Sequence, residues 1–204
     1  MKKVFIATTI CAAISSSALA AGTSVTVGYL TQSVDDNSGP NQQQINFQLR
    51  QKFTDLFAGD FLLASNQNDY FEGPSGKPTP SSYRVGGRVE AGFNAQKQIF
   101  GPVDGYARLG LGVKIVNGAQ SFAYNTEEVG LVYHTPFNVR ARVGYRWRQA
   151  FSTTPTQNDT STTVRMGLAY DLTKVDTVGF NFDKANNDIG PGQTAYQVTY
   201  TRKF

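Results

Sequence analysis

From residue 24 to Phe204, segment after segment of the chain alternates apolar and polar residues with period two. This is the pattern of strands with unlike faces. The spacing predicts ten of them, near 24–34, 42–53, 56–66, 83–94, 105–116, 122–134, 137–150, 162–172, 175–184 and 194–204. In the second, Ile45, Phe47, Leu49 and Phe53 alternate with Asn46, Gln48, Arg50 and Lys52. In the seventh, Phe137, Val139, Ala141, Val143, Tyr145 and Trp147 share one face, and Arg140, Arg142, Gly144, Arg146 and Arg148 share the other. The third is the least regular, because Leu62 falls on its polar face.

The connections fall into two kinds. Alternate ones are short: Thr54-Asp55, Thr135-Pro136, Thr173-Lys174 and, as an exception in length, 95–104. The others, 35–41, 66–82, 117–121, 151–161 and 185–193, are mostly longer and rich in Gly, Pro, Asn and Ser, with the Asn117-Gly118 loop a short exception. Each segment has the length of a tilted membrane strand, about 9 to 11 residues. An even strand number, short turns at one end and longer loops at the other form the topology of a closed membrane barrel with both termini at the turn end.

Ahead of this pattern, Lys2 and Lys3 precede an apolar run from Val4 to Ile14 and the small-residue sequence Ala18-Leu19-Ala20. That reads as a cleaved signal peptide over 1–20, leaving a single domain from 21 to 204. The run is too short for a spanning helix, which takes about 20 residues. Cys11, the only cysteine, lies inside the leader, so neither a disulfide nor thiol chemistry is expected. Loss of Lys2 and Lys3 lowers the formal charge of +4 to +2, which gives no support to nucleic-acid binding.

The leader, the alternation and a closing segment in which Tyr196, Val198, Tyr200 and Phe204 are spaced by polar residues resemble the bacterial outer-membrane β-barrel superfamily. The resemblance implies an all-β, antiparallel up-and-down transmembrane barrel, of ten strands by this count, with twelve or eight as alternatives. It implies an outer-membrane location with N- and C-termini periplasmic, contact with outer-membrane lipid, and recognition of the terminal strand by the barrel-assembly machinery. The stretch Glu128 to Tyr133, followed by the run from Arg140 to Arg148, is also similar to the arginine-and-aromatic strand of small monomeric porins for oligogalacturonate. That family, which has twelve strands, implies acidic oligosaccharides as solutes.

The polar face decides function. Alternation turns Arg84, Arg88, Arg108, Arg140, Arg142, Arg146, Arg148 and Arg165 inward, together with Arg50, Lys52, Lys114 and Lys203, against Asp60, Glu90, Glu128, Asp171 and Asp183. The hairpins are expected to bring Asp60 near Arg50, Glu128 near Arg142 and Arg148 near Arg165. The leading expectation is a narrow monomeric channel for small anionic solutes, with Arg140, Arg142, Arg146, Arg148 and Arg165 as a track and Arg84, Arg88 and Arg108 opposing it. Fixed positive charge favours anions in a pore. Inward glycines, including Gly92, Gly112, Gly130 and Gly144, either open this pathway or make room for long neighbours.

Other readings compete. A soluble sandwich or lipocalin-type barrel shares the alternation, but Tyr29, Tyr83, Tyr133, Trp147 and Tyr170, near strand ends on the apolar face, suit interfacial girdles instead. A closed structural or surface-interaction barrel would turn the arginines and carboxylates into a filling and leave the external loops to act. Catalysis is not expected: the single histidine, His134, sits beside the turn Thr135-Pro136, and no His, Cys or carboxylate spacing suggests a metal site or cofactor.

Overall fold

A computed structural model describes residues 22–35, 42–68, 85–115, 121–151, 160–188 and 192–204. The leader, Tyr83, Arg84, the Asn117-Gly118 loop and most of 66–82 and 151–161 lie outside the described residues. Ten strands form: β1 (Thr23–Val34), β2 (Gln42–Lys52), β3 (Phe57–Asn68), β4 (Val85–Phe100), β5 (Val103–Ile115), β6 (Phe122–His134), β7 (Val139–Ala150), β8 (Ser161–Asp171), β9 (Asp176–Asn187) and β10 (Gln193–Lys203). Each pairs antiparallel with its sequence neighbour, and β10 returns to β1, so the sheet closes.

The register shows how the wall is staggered. One row of facing residues runs Thr23, Gln51, Gly59, Phe93, Leu109, Glu127, Trp147, Thr162, Asn186. It rejoins β1 beside Asp35, whose N–H donates to the Gly192 carbonyl. Closure thus advances the register by about 12 residues, the stagger that tilts strands in a barrel. Long side chains can therefore meet partners two strands away.

One expectation on the connections is corrected. The segment 95–104 is mostly strand, because β4 runs to Phe100 and turns through Gly101-Pro102 into β5. Gln96 there donates to Asp104 inside the barrel, and Ile99 lies beside Gly105. All four described turns, 53–56, 101–102, 135–138 and 172–175, are consequently short and lie at the end that holds Gly22 and Phe204. We refer to it as the turn end and to the other as the loop end.

The outer face is apolar and exposed, with Tyr29, Ile45, Phe61, Leu109, Leu111, Val143, Leu168 and Phe180 among its residues. Tyr133 and Tyr170 stand at the turn-end edge of this band, and Tyr29, Trp147 and Tyr196 toward the loop end. The buried groups are on the inside and include Gln44, Asn46, Asp60, Glu90, Thr126, Glu128 and Thr163. Such inversion suits a barrel whose solvent outside is hydrocarbon. Leu62, irregular in the sequence pattern, lines the interior with Leu30.

Candidate functional site

The interior holds a cavity of about 1230 Å³ whose lining runs from Thr54 and Asp55 at the turn end to Gln32, Gln44 and Asn187 at the loop end. Arg50, Arg88, Arg108, Arg140, Arg142, Arg146, Arg148 and Arg165 all contribute. All the described arginines expected in the lumen are therefore there, and Arg84 lies outside the described residues.

Their partners differ from those expected. Arg50 and Asp60 do face each other in the β2–β3 register, but the carboxylate is held by Arg108, whose Nη2 and Nε donate to Asp60 at 2.6 and 3.0 Å. Arg108 Nη1 lies 2.5 Å from Glu90, and Asn94 also donates to Asp60. Glu128 faces Arg146 in the register and accepts from Arg165 Nη1 at 2.7 Å and from the Tyr106 hydroxyl at 2.8 Å. Arg148 faces Ser161 and Arg165 faces Gly144, so the expected Arg148–Arg165 encounter is absent. Arg165 is neutralised instead by Glu128 and by Asp183 at 3.0 Å.

Two of these contacts, Arg108–Asp60 and Arg165–Glu128, share a construction: the donor crosses an intervening strand at a glycine. Arg108 reaches from β5 to Asp60 on β3 across Gly92 of β4, where a Cβ would stand 2.5 Å from its Nη2. Arg165 reaches from β8 to Glu128 on β6 past Gly144, which pairs with it in the register. Tyr106 lies over Gly130 and Gly144, and Tyr124 lies over Gly112 to donate to Glu90 at 2.8 Å. The glycines are slots for long side chains, which lie close against the wall there. Neither tyrosine was singled out from the sequence. Both sit at polar-parity positions, which was the available signal.

Two networks result, one joining Asp60, Arg108, Glu90 and Tyr124, the other Tyr106, Glu128, Arg165 and Asp183 with Arg146 at 3.8 Å. Arg148 lies over the Tyr124 ring, 5.1 Å from its centroid, and Arg142 over Tyr106 at 5.7 Å. Near the turn end Asp171 lies 2.8 Å from Arg140 and 3.9 Å from Lys203. Arg50 and Arg142 make no ion pair among the described residues. The position facing β7 across the ten-strand ring belongs to β2, so Arg50 is the residue that opposes the β7 arginines. Arg108 lies on their own side of the ring, two strands away.

The remaining wall, from β9 through β10 and β1 to β2, is uncharged along most of its inward face: Gln44, Asn46, Gln48, Thr26, Thr199, Gln197 and Asn181 line it. His134, at the turn end, lies 2.9 Å from Asp104, which also accepts from Gln96 at 2.8 Å. Among the described residues, no group of three His, Cys, Asp or Glu side chains could hold a metal ion.

No family model and no curated protein matches the sequence. Solved structures do match in shape. An outer-membrane channel from Pseudomonas putida F1 superposes with a TM-score of 0.60 at 12% identity, covering 92% of this chain and 97% of that one. The fold is that of the outer-membrane β-barrels. The β-domain of the Bordetella autotransporter BrkA gives 0.57 at 10% identity, covering 90% and 99%, and the NanC porin 0.52 at 8%, covering 89% and 100%. At these identities the likeness concerns architecture alone.

Proposed function

We propose that this barrel is a narrow, monomeric channel of the bacterial outer membrane, with its turn end and both termini periplasmic, through which small anionic solutes diffuse passively. The observation that carries this reading is the end-to-end cavity with its eight lining arginines. The carboxylates Asp60, Glu90, Glu128 and Asp183 are engaged in ion pairs, while Arg50 and Arg142 are left without one among the described residues. Fixed positive charge on a wall of low dielectric lowers the entry cost of an anion and raises that of a cation. Ten strands lie nearer the side-chain-filled eight-strand barrel than the water-filled sixteen-strand one, so the pathway is narrow. In this reading Arg140, Arg142, Arg146, Arg148 and Arg165 form the track, Arg50 faces it, and Arg88 stands toward the loop end. Acidic oligosaccharides are the solute class suggested by the arginine-and-aromatic strand β7. Tyr196, Val198, Tyr200 and Phe204 on the closing strand serve assembly.

The test is single-channel conductance of the refolded mature chain in a planar bilayer, with reversal potential under a salt gradient. Stable openings with anion preference, shifted toward cations by Arg146→Glu with Arg148→Glu, are expected. A folded but silent barrel would instead favour a closed barrel acting through its external loops.

A further inference from the structure

Two lumen cations are left over once the ion pairs of the interior have formed. Arg50 and Arg142 make none among the described residues, although both line the cavity. The carboxylate that faces Arg50, Asp60, accepts instead from Arg108 Nε and Nη2 and from Asn94. Those bonds fill three of a carboxylate's roughly four acceptor sites. Arg142 rests over the Tyr106 ring, 5.7 Å from its centroid. A ring face supports the charge of a guanidinium but leaves its N–H donors to other acceptors. The cations next to them along the strands are taken: Lys52 by Asp55, Arg140 by Asp171 and Arg146 by Asp183.

The two residues stand at one level. Arg50 is the second inward residue from the turn end of β2, after Lys52, and Arg142 the second of β7, after Arg140. β2 and β7 hold opposite positions in the ten-strand ring, and a ring of that size keeps opposing walls near each other. The lumen therefore presents, at one level, a guanidinium on each of two opposite walls with no carboxylate to neutralise it. Ser24, which faces Arg50 in the register, and Gln48, next inward on β2, add a hydroxyl and an amide there. Fixed charge on a low-dielectric wall draws a counter-ion. A monoanion would leave half of this charge unmet, and a carboxylate group offers both its oxygens along one edge, which suits the fork of one arginine. A phosphate group carries about two negative charges and three acceptor oxygens spread around a tetrahedron, so it can accept from both walls at once.

We propose that Arg50 and Arg142 form a phosphate clamp in the lumen, which holds free phosphate or a small phosphate monoester between β2 and β7. The clamp rests on the channel reading above and adds to it a saturable site for phosphate-bearing solutes.

Binding is read by phosphorus NMR of the refolded mature chain in detergent micelles, with inorganic phosphate at about pH 8, where it is mostly a dianion. Saturable line broadening is expected, with affinity about tenfold weaker or more in Arg50→Gln and in Arg142→Gln, the effect of one charge-assisted hydrogen bond. Broadening that does not saturate, or an affinity unchanged in either variant, would overturn the clamp. Succinate, a dianion with planar carboxylates, is expected to displace phosphate poorly, and displacement as effective as by phosphate itself would overturn the choice of ligand. Glycerol phosphate, run beside inorganic phosphate, distinguishes the sources: the tighter of the two is the solute the clamp serves. Single-channel chloride current is the second readout, which phosphate is expected to reduce saturably in the unaltered chain and not in Arg50→Gln with Arg142→Gln. Chloride current without block or phosphate binding would overturn the clamp and leave the channel. Phosphate binding by a barrel that carries no current would overturn the channel and leave the clamp.

Discussion

The guanidinium of Arg108 lies over Gly92, so close that a Cβ there would meet Nη2 at 2.5 Å. In that place it grips Asp60 with two nitrogens and Glu90 with the third. Gly92→Ala forces Arg108 off the wall and toward the axis. The expected result is a lower single-channel conductance together with a loss of about 1–3 kcal/mol, the usual cost of an overpacked site, read from the urea midpoint of unfolding.

Glu128 joins Tyr106 of β5 to Arg165 of β8 across two intervening strands. In Glu128→Gln, Arg165 keeps Asp183 but loses its nearer carboxylate. Removing one member of a buried pair leaves a charge uncompensated, at about 3 kcal/mol here, the low end for such pairs because Asp183 remains. The lumen also gains net positive charge. The variant is therefore expected to be less stable and more anion-selective, so its unfolding midpoint and reversal potential should move together.

The lumen arginines divide by partner, and the division predicts separable effects. Arg50 and Arg142 have no ion pair among the described residues, whereas Arg108 has two. Arg50→Gln with Arg142→Gln is expected to weaken anion preference with little change in the unfolding midpoint. Arg108→Gln is expected to lower the unfolding free energy by about 3–5 kcal/mol, read from a lower midpoint, because it strands Asp60 and Glu90. Equal stability losses in the two variants would contradict this division.

The sequence made the strands legible because both faces of the wall carry a signal: polar inside, apolar outside, for the whole length of each strand. It failed at 95–104, where the polar run Gln96-Lys97-Gln98 reads as a connection although β4 continues to Phe100. The lumen residues were legible by parity, but their partners were not. Adjacent-strand reasoning couples Asp60 to Arg50 and Glu128 to Arg142, and it cannot see a side chain that crosses a strand. The clue lay in the glycines: Gly92 separates Asp60 from Arg108, and Gly144 separates Glu128 from Arg165. Where parity places a glycine between two opposite charges, the longer one can step over it.

At the loop end, Asp35 accepts from Lys184 Nζ at 2.7 Å and from the Thr194 hydroxyl at 2.8 Å. These hydrogen bonds, that from Lys184 first, hold its carboxyl below the usual 3.8 against a weaker opposing effect of desolvation. The lowered value gives the sign: the contact stabilises the folded chain above the ordinary pKa and is lost as pH falls through the folded-state value. A carboxyl-shift titration by NMR is expected to show an Asp35 midpoint under 3.8 that returns toward 3.8 in Lys184→Met. An unchanged midpoint in that variant would show that Lys184 is not the cause.

Asn138 closes the β6–β7 turn with φ of 60°, the left-handed region. Asn and Gly enter that region readily, whereas a Cβ-branched residue meets the following carbonyl. The conformation is used: the Asn138 carbonyl accepts from the Asp171 N–H at 3.0 Å, fastening this turn to the end of β8. Asn138→Gly is therefore expected to leave the unfolding midpoint unchanged within a few tenths of a kcal/mol, since glycine adopts the same φ at little cost. Asn138→Val is expected to cost about 1–2 kcal/mol and to speed exchange of the Asp171 amide while leaving amides of β1–β4 unaffected. Equal midpoints for the glycine and valine variants would mean that the turn relaxes out of the left-handed region, and that the Asn138–Asp171 bond contributes little to holding β7 and β8 together.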